Sequence, residues 1–258
     1  MVIRLLEVFD LEENINIKAV DNVKPNYPVP HQMGFFKRVL GVFLWPGKTM
    51  QSLTEKPRVL FPLLFAAIAQ AIMIIAVFPM YREYLRIGME AAYSRMDVDI
   101  QSDQFEQILN VSAMTSPIGM AITAVATLLL GALVLWIVIK LFKGQGYYKQ
   151  ILSITGYSYV ISVLPTIVQI IKTNVIGVFN LLSYTSAAVL MPKMDGSFIY
   201  GMAKSLDVFS IWQYVVLAIG LVSVSKLEKR KVYMIVGVIF VLQLLFAGIT
   251  EIRTAALL

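Results

Sequence analysis

Apolar and polar positions alternate along this chain in blocks, and the blocks change character near residue 34. Residues 1–33 are polar and acidic. The apolar groups of VIRLLEVF and NINIKAV are short, and Pro25, Pro28 and Pro30 favour extended backbone after them. They read as a separate cytosolic N-terminal arm. From Phe35 the period turns helical: Phe36, Val39, Leu40 and Phe43 recur on one side, while Lys37, Arg38, Gly41 and Lys48 lie toward the other. Leu44 and Trp45 widen the apolar face, and Pro46 suits the first turn of a second short helix carrying Met50 and Leu53. Residues 34–57 therefore predict a pair of amphipathic helices, lying at a membrane interface or packed on the protein's own cytosolic face.

Beyond Pro57 the apolar runs lengthen to spans. A hydrocarbon core of roughly 30 Å needs about 18 or more consecutive apolar residues. Five segments meet that need: Arg58–Pro79, Pro117–Ile139, Ile151–Ile171, Asp207–Ser225 and Val232–Ile249. Together they predict a transmembrane domain over residues 58–250, and an all-α polytopic bundle as the fold class. Leu85, Met89, Ala92 and Met96 keep helical spacing after the first span, so that helix is expected to continue into an extracytoplasmic excursion over 81–115. Asp103 and Glu106 have capping-box spacing and predict a second short helix there. Pro117 then reads as the N1 residue of the second span. Within the third span Pro165 frees the Ile161 carbonyl, which Ser162 and Thr166 can help to satisfy.

Composition agrees with the spans. The 258-residue chain is 58% hydrophobic, more than the interior of a soluble domain of this length hides, and its mean hydropathy is +0.75. The net charge of +6 suggests nucleic acid at first, but placement by topology removes that reading. With five spans, fifteen of the 22 Lys and Arg fall on the N-terminal side and seven on the other. That is the ordinary positive-inside pattern, and it predicts N-in, C-out. Threading the apolar stretch Val175–Met191 as a sixth span would put the KLEKRK cluster outside. Residues 175–205 are therefore expected at the outer surface or as a re-entrant hairpin. No stretch of signal-peptide character precedes the first span, which must itself act as the targeting signal.

Candidate chemistry is sparse. The chain has no cysteine and one histidine, His31, which removes thiolate and most imidazole chemistry. The acids of 81–115 lack EF-hand spacing and read as a solvated face. HExxH, Walker A and GxSxG motifs are missing, so no catalytic, cofactor or metal residue is assigned and the protein is expected not to be an enzyme. No span places an ionisable residue near its centre. The strongest polar groups at depth are Gln70, Gln169, Gln213 and Gln243, read as interhelical hydrogen-bonding residues. Thr123, Thr127 and Gly131 form a four-residue small stripe, and with Pro165 and Trp212 complete the expected packing positions. Phe35, Phe36, Lys37, Arg38, Phe43, Trp45 and Lys48 are the candidates for contact with the interface or a partner.

Three stretches carry a resemblance. FFKRVLGVFLWPGKTMQSLTEKP followed by PLL resembles the segment leading into the first span of the Yip-type (Ypt/Rab-interacting) membrane proteins and their bacterial relatives. KGQGYYKQILSITGYSYVISVLP looks like that family's Gly-containing loop and Tyr-bearing helix, and LDVFSIWQYVVLAIGLVSVSKLEKRK its Asp-x-Phe-x-x-Trp fourth span with a basic end. The likeness covers Phe35 to Ile249 in order. It implies a non-enzymatic multi-pass accessory protein that works through partners. Eukaryotic relatives are linked to Rab GTPases. The bacterial branch, to which the likeness points, implies the plasma membrane and another membrane protein such as an ABC-type exporter component, in defence against toxic peptides. The lipid bilayer and a second copy of the chain are further expected partners, and nucleic acid is not. The alternative is a small transporter or channel, with Pro165 and the glutamines lining its path.

Overall fold

The computed structural model describes residues 33–97, 100–191 and 194–257, and the expected arm therefore lies, but for Met33, outside the described residues. The architecture is a helical bundle. Helices α1 (Phe35–Leu44) and α2 (Pro46–Glu55) meet at Trp45, whose N–H donates to the Gly41 carbonyl at 2.9 Å and whose carbonyl accepts from Thr49 at 3.1 Å. One residue thus ends α1 and starts α2, with Pro46 at N1 where its missing N–H costs nothing. Pro57, which disfavours helical backbone at the residue before it, closes the pair.

Helix α3 (Leu60–Ala76) begins the membrane domain. It does not run straight on, as the sequence suggests. The chain breaks at Val77, and α4 (Phe78–Arg95) leaves at 83° to α3. Pro79, in the first turn of α4, explains the break: its ring clashes with the carbonyl four residues back and offers no N–H to the ladder. Helix α5 (Ser102–Leu141) corrects a second expectation. The predicted short helix and second span are one helix of 40 residues, with Pro117 inside it. Hydroxyls cushion the proline turn, Ser116 donating to the Ser112 carbonyl at 2.7 Å and Thr115 to that of Val111 at 2.8 Å. At about 1.5 Å per residue this helix is roughly 60 Å long, twice the hydrocarbon thickness.

The third span is built as α6 (Tyr148–Tyr159), a 3₁₀ turn at Val160–Ser162, and α7 (Val163–Ile176). The tightened turn falls just before Pro165, and Thr166 donates to the Ser162 carbonyl at 2.8 Å. Residues 175–191 form no span. Gly177, at φ +75°, ends α7 in the left-handed conformation. A 3₁₀ turn follows at Ala187–Leu190, and then α8 (Phe198–Ser205). Helix α9 (Val208–Ser225) is capped by Asp207, which accepts from Phe209 N at 2.8 Å and Ser210 N at 3.3 Å. Helix α10 (Lys229–Leu257) completes the chain.

Lipid tails are as apolar as leucine, so the spans associate through close packing rather than exclusion from water. The principal core lies toward the end where α2 sits, with Met50, Leu53, Ile139, Ile154, Tyr157 and Leu221 fully buried. Two glycines set the distance of approach. A Cβ on Gly220 of α9 would meet Ile154 Cγ2 at 2.4 Å and Met50 Sδ at 3.1 Å. One on Gly156 of α6 would meet Pro62 Cβ at 2.7 Å. The face that α5 turns inward is Ala124, Leu128, Ala132, Leu135 and Ile139. Thr123 and Thr127, expected to pack, are exposed instead, and Gly131 faces open space. Both stripes repeat every four residues, and only the larger apolar one is buried against α3 and α6.

Candidate functional site

Two ends of the bundle carry its polar chemistry. The first, the basic end, gathers α1, α2, the loop from α5 to α6 and the turn from α9 to α10. Hydrogen bonds join them: Gln145 N donates to the Ser225 carbonyl at 2.7 Å, and Gln150 Nε2 to that of Thr54 at 2.7 Å. Twelve Lys and Arg stand here against two acids, Glu55 and Glu228.

Helices α1 and α2 divide the two readings of the amphipathic pair between them. In α1, Gly41 and Val42 are buried, while Phe36 (79% exposed), Leu40, Leu44 and Trp45 form an outward apolar face. This is the pattern of an interfacial helix. Helix α2 turns its apolar side into the bundle, burying Thr49, Met50 and Leu53 completely. Its last turn is tied down by Thr54, whose hydroxyl bonds that of Ser223 at 2.8 Å. At the start of the first span, Ser153 accepts from Arg58 N at 3.0 Å and donates to Arg58 O at 3.1 Å.

Where α1 crosses the beginning of α3 and the last turn of α6, three rings meet. Phe35 packs edge-on against Phe61 with centroids 4.6 Å apart, and Phe61 lies 5.7 Å from Tyr157. Arg38 Nε is buried and has no hydrogen-bond partner among the described residues. Sequence reasoning named Arg38 but missed Tyr157, which is one tyrosine among several in an apolar run.

The opposite end is closed by residues 177–191 and 194–206. Lys172, expected just past the third span, lies within the last turns of α7 and is only 4% exposed. Its Nζ donates to Asn180 Oδ1 and to the Leu182 carbonyl, both at 2.6 Å, and sits 5.0 Å from the centre of the Tyr184 ring. Gln169 Nε2 donates to the Asn180 carbonyl at 2.6 Å. Asp207, besides capping α9, accepts from Ser183 Oγ at 3.0 Å and from the Thr185 hydroxyl. Lys204 pairs with Glu251 at 2.9 Å. Helices α8 and α10 touch backbone to backbone, since a Cβ on Gly201 would meet the Ala247 carbonyl oxygen at 2.6 Å.

At this end too, α4 lies along the first turns of α5. Glu106 does not close a capping box. It accepts from Arg82 and Arg86, each at 2.7 Å. Burial pushes its carboxyl up, but the hydrogen bonds and charges of Arg86 and Arg82 prevail and hold it below the usual carboxylate range.

The remaining sequence-selected residues fall into two groups. Gln70 donates to the Tyr159 hydroxyl at 3.1 Å, and Gln243 accepts from the Tyr214 hydroxyl, so both join neighbouring spans. Pro165 is half-buried at the kink, whereas Trp212 is 38% exposed on the outside of α9. Lys37 and Lys48 are exposed and Phe43 is packed against the core.

Comparison with known proteins places this geometry. A family model described as the Yip1 domain matches residues 40–250. The chain is similar to a protein of Bacillus subtilis (strain 168) described as "Membrane protein YknW", 29% identical over 212 residues, which covers 81% of this chain and 87% of that protein. No solved structure matches.

Proposed function

The chain belongs to the Yip1 domain family, and from that premise we propose that it is a non-catalytic accessory scaffold of a bacterial plasma membrane. It sits N-in and C-out, and its partner is another membrane protein such as an ABC-type exporter component. The observation that carries the reading is the state of the polar groups inside the spans. Gln70, Gln169 and Gln243 are each tied within the protein, to Tyr159, Asn180 and Tyr214. Groups that move a substrate are kept available along a path and are commonly ionisable. Here the polar side chains hold helices together, a role worth about 0.5–2 kcal/mol each.

Two surfaces remain for a partner. One is the outer hairpin, in which α4 and the first turns of α5 reach beyond the hydrocarbon thickness and leave Ile87 exposed. The other is the outward face of α1. A photo-crosslinking residue at Ile87 or at Trp45, introduced into the chain in its own membrane, tests the reading. A discrete adduct with a second membrane protein is the expected result. Adducts only with lipid, together with liposome flux that Gln169→Leu abolishes, would replace the scaffold by a transporter.

A further inference from the structure

At the basic end one nitrogen of a partly buried arginine lacks a counterpart. Arg38 Nε is shielded from solvent and has no hydrogen-bond partner among the described residues, a state that carries a desolvation cost until something accepts from it. Arg58, whose side chain is exposed, has its backbone held by Ser153 through both N–H and C=O. Tyr157 lies one helical turn beyond Ser153, and Arg38 and Arg58 each stand three residues from a ring of the same cluster, Phe35 and Phe61. The rings of Phe35, Phe61 and Tyr157 make an apolar floor. Among the described residues no carboxylate is within ion-pair distance of either arginine, although Arg82 and Arg86 at the far end share Glu106 at 2.7 Å.

Two arginines adjoining an aromatic floor suit one class of ligand. The guanidinium is planar, always charged and presents paired donors that match phosphate oxygens. Location then selects the source of the phosphate. The face of α1 carrying Phe36, Leu40, Leu44 and Trp45 is exposed and apolar, which sets the helix at headgroup depth rather than in open water. The surrounding excess of twelve cations over two acids draws anionic lipid to that depth. We infer that Arg38 and Arg58 bind the phosphate of one anionic phospholipid, whose chains lie against the outward face of α1, with the Tyr157 hydroxyl as a third donor. The site is independent of the identity of any protein partner.

The full chain, purified in mild detergent, provides the test through its thermal melting in the presence of phosphatidylglycerol, phosphatidylcholine or inorganic phosphate. Phosphatidylglycerol is expected to raise the melting temperature at concentrations about tenfold or more below those at which phosphatidylcholine does so, as charge-assisted hydrogen bonds to a phosphate require. Arg38→Gln with Arg58→Gln should abolish that preference, and Lys140→Gln with Lys143→Gln, at the same end, should keep it. Where the glutamine pair melts too low to titrate, Arg38→Lys with Arg58→Lys retains the charge but loses the fork, and its preference should fall several-fold. A preference unchanged in either arginine pair overturns the inference. So does equal stabilisation by phosphatidylcholine. Stabilisation by inorganic phosphate at the same low concentration would make the site one for a soluble anion, and would overturn the lipid assignment.

Discussion

Arg82, Arg86, Lys172 and Lys204, at one end of the bundle, each have a protein partner 2.6–2.9 Å away. At the other end the only ion pair among the described residues is Lys231 with Glu228 at 3.8 Å, on the surface. The difference shows what charge does in each place. Those four cations close the far end on itself, tying residues 180–182 to α7, α8 to α10 and α4 to α5. Most cations of the basic end have no acidic partner among the described residues, and cohesion there comes from apolar side chains packed around glycines together with neutral hydrogen bonds. Charged side chains thus bind one end together, and packing with neutral bonds the other.

Breaking shape should cost the most. In Gly220→Leu the new side chain has no room between Ile154 and Met50. Overpacking of a tight core costs about 1–3 kcal/mol and more where backbone must move. Here α2 is expected to be pushed out of the bundle. The measure is loss of monodisperse protein on size-exclusion chromatography and faster tryptic cleavage after Lys48, which is exposed but held in helical backbone. Gly131→Leu is the matched control, since that glycine faces open space, and it should leave both measures unchanged.

Breaking a polar closure should cost less and act locally. Lys172→Ala leaves the partly buried Leu182 carbonyl without its donor and Asn180 Oδ1 with the Leu182 N–H alone, and an unsatisfied group shielded from water costs about 1–3 kcal/mol. Faster hydrogen exchange over 177–186, with the basic end unchanged, is the expected outcome. Lys140→Ala, on an exposed residue with no ion pair, should fall within about 0.5 kcal/mol of the parent. If Lys140→Ala destabilised as much as Lys172→Ala, the contrast between the ends would fail.

Four of the five spans and the helix start at Pro46 were legible in the sequence because length and proline act locally. The bend at Val77 was not. Pro79 at the end of an apolar run looks the same whether the chain stops there or turns. Pro117 misled in the opposite sense, since an N1 proline and a proline inside a long helix share the same neighbours when hydroxyls such as Ser116 can cushion the turn. Thr123–Thr127–Gly131 and Ala124–Leu128–Ala132 have the same four-residue repeat, and tertiary packing chose between them. The aromatic-basic character of α1 could be read from its period. The meeting of Phe35, Phe61 and Tyr157 could not, because it depends on how α1 crosses α3 and α6.

Acid should open the α4–α5 hairpin before anything else. The folded Glu106 carboxyl is held below its ordinary value by Arg86 and Arg82 against the effect of burial. A depressed carboxylate contributes stability that is present above the ordinary carboxyl range and is lost as pH falls through the folded value. Contact between α4 and α5 is thus expected to persist at neutral pH and to loosen in acid. A spin-label pair on Gly88 and Gln104 should report a distance that broadens as pH falls. Glu106→Gln should broaden it already at neutral pH and remove the transition. A transition of the same size in that variant would move the acid response to other groups.

The smallest change bears most directly on how the two kinds of cohesion meet. Ser153→Ala removes two hydrogen bonds to the Arg58 backbone without altering the apolar packing around it. Net hydrogen bonds of this kind are worth about 0.5–1.5 kcal/mol, so melting should drop slightly and the bundle should remain intact. Arg58, however, loses the tie that sets its register beside Tyr157. If the basic end is organised for a ligand, Ser153→Ala should weaken the phosphatidylglycerol preference by more than its small loss of stability implies. If the arginines serve only to orient the chain in the membrane, the variant should retain that preference, since orientation depends on the number of charges and not on their spacing.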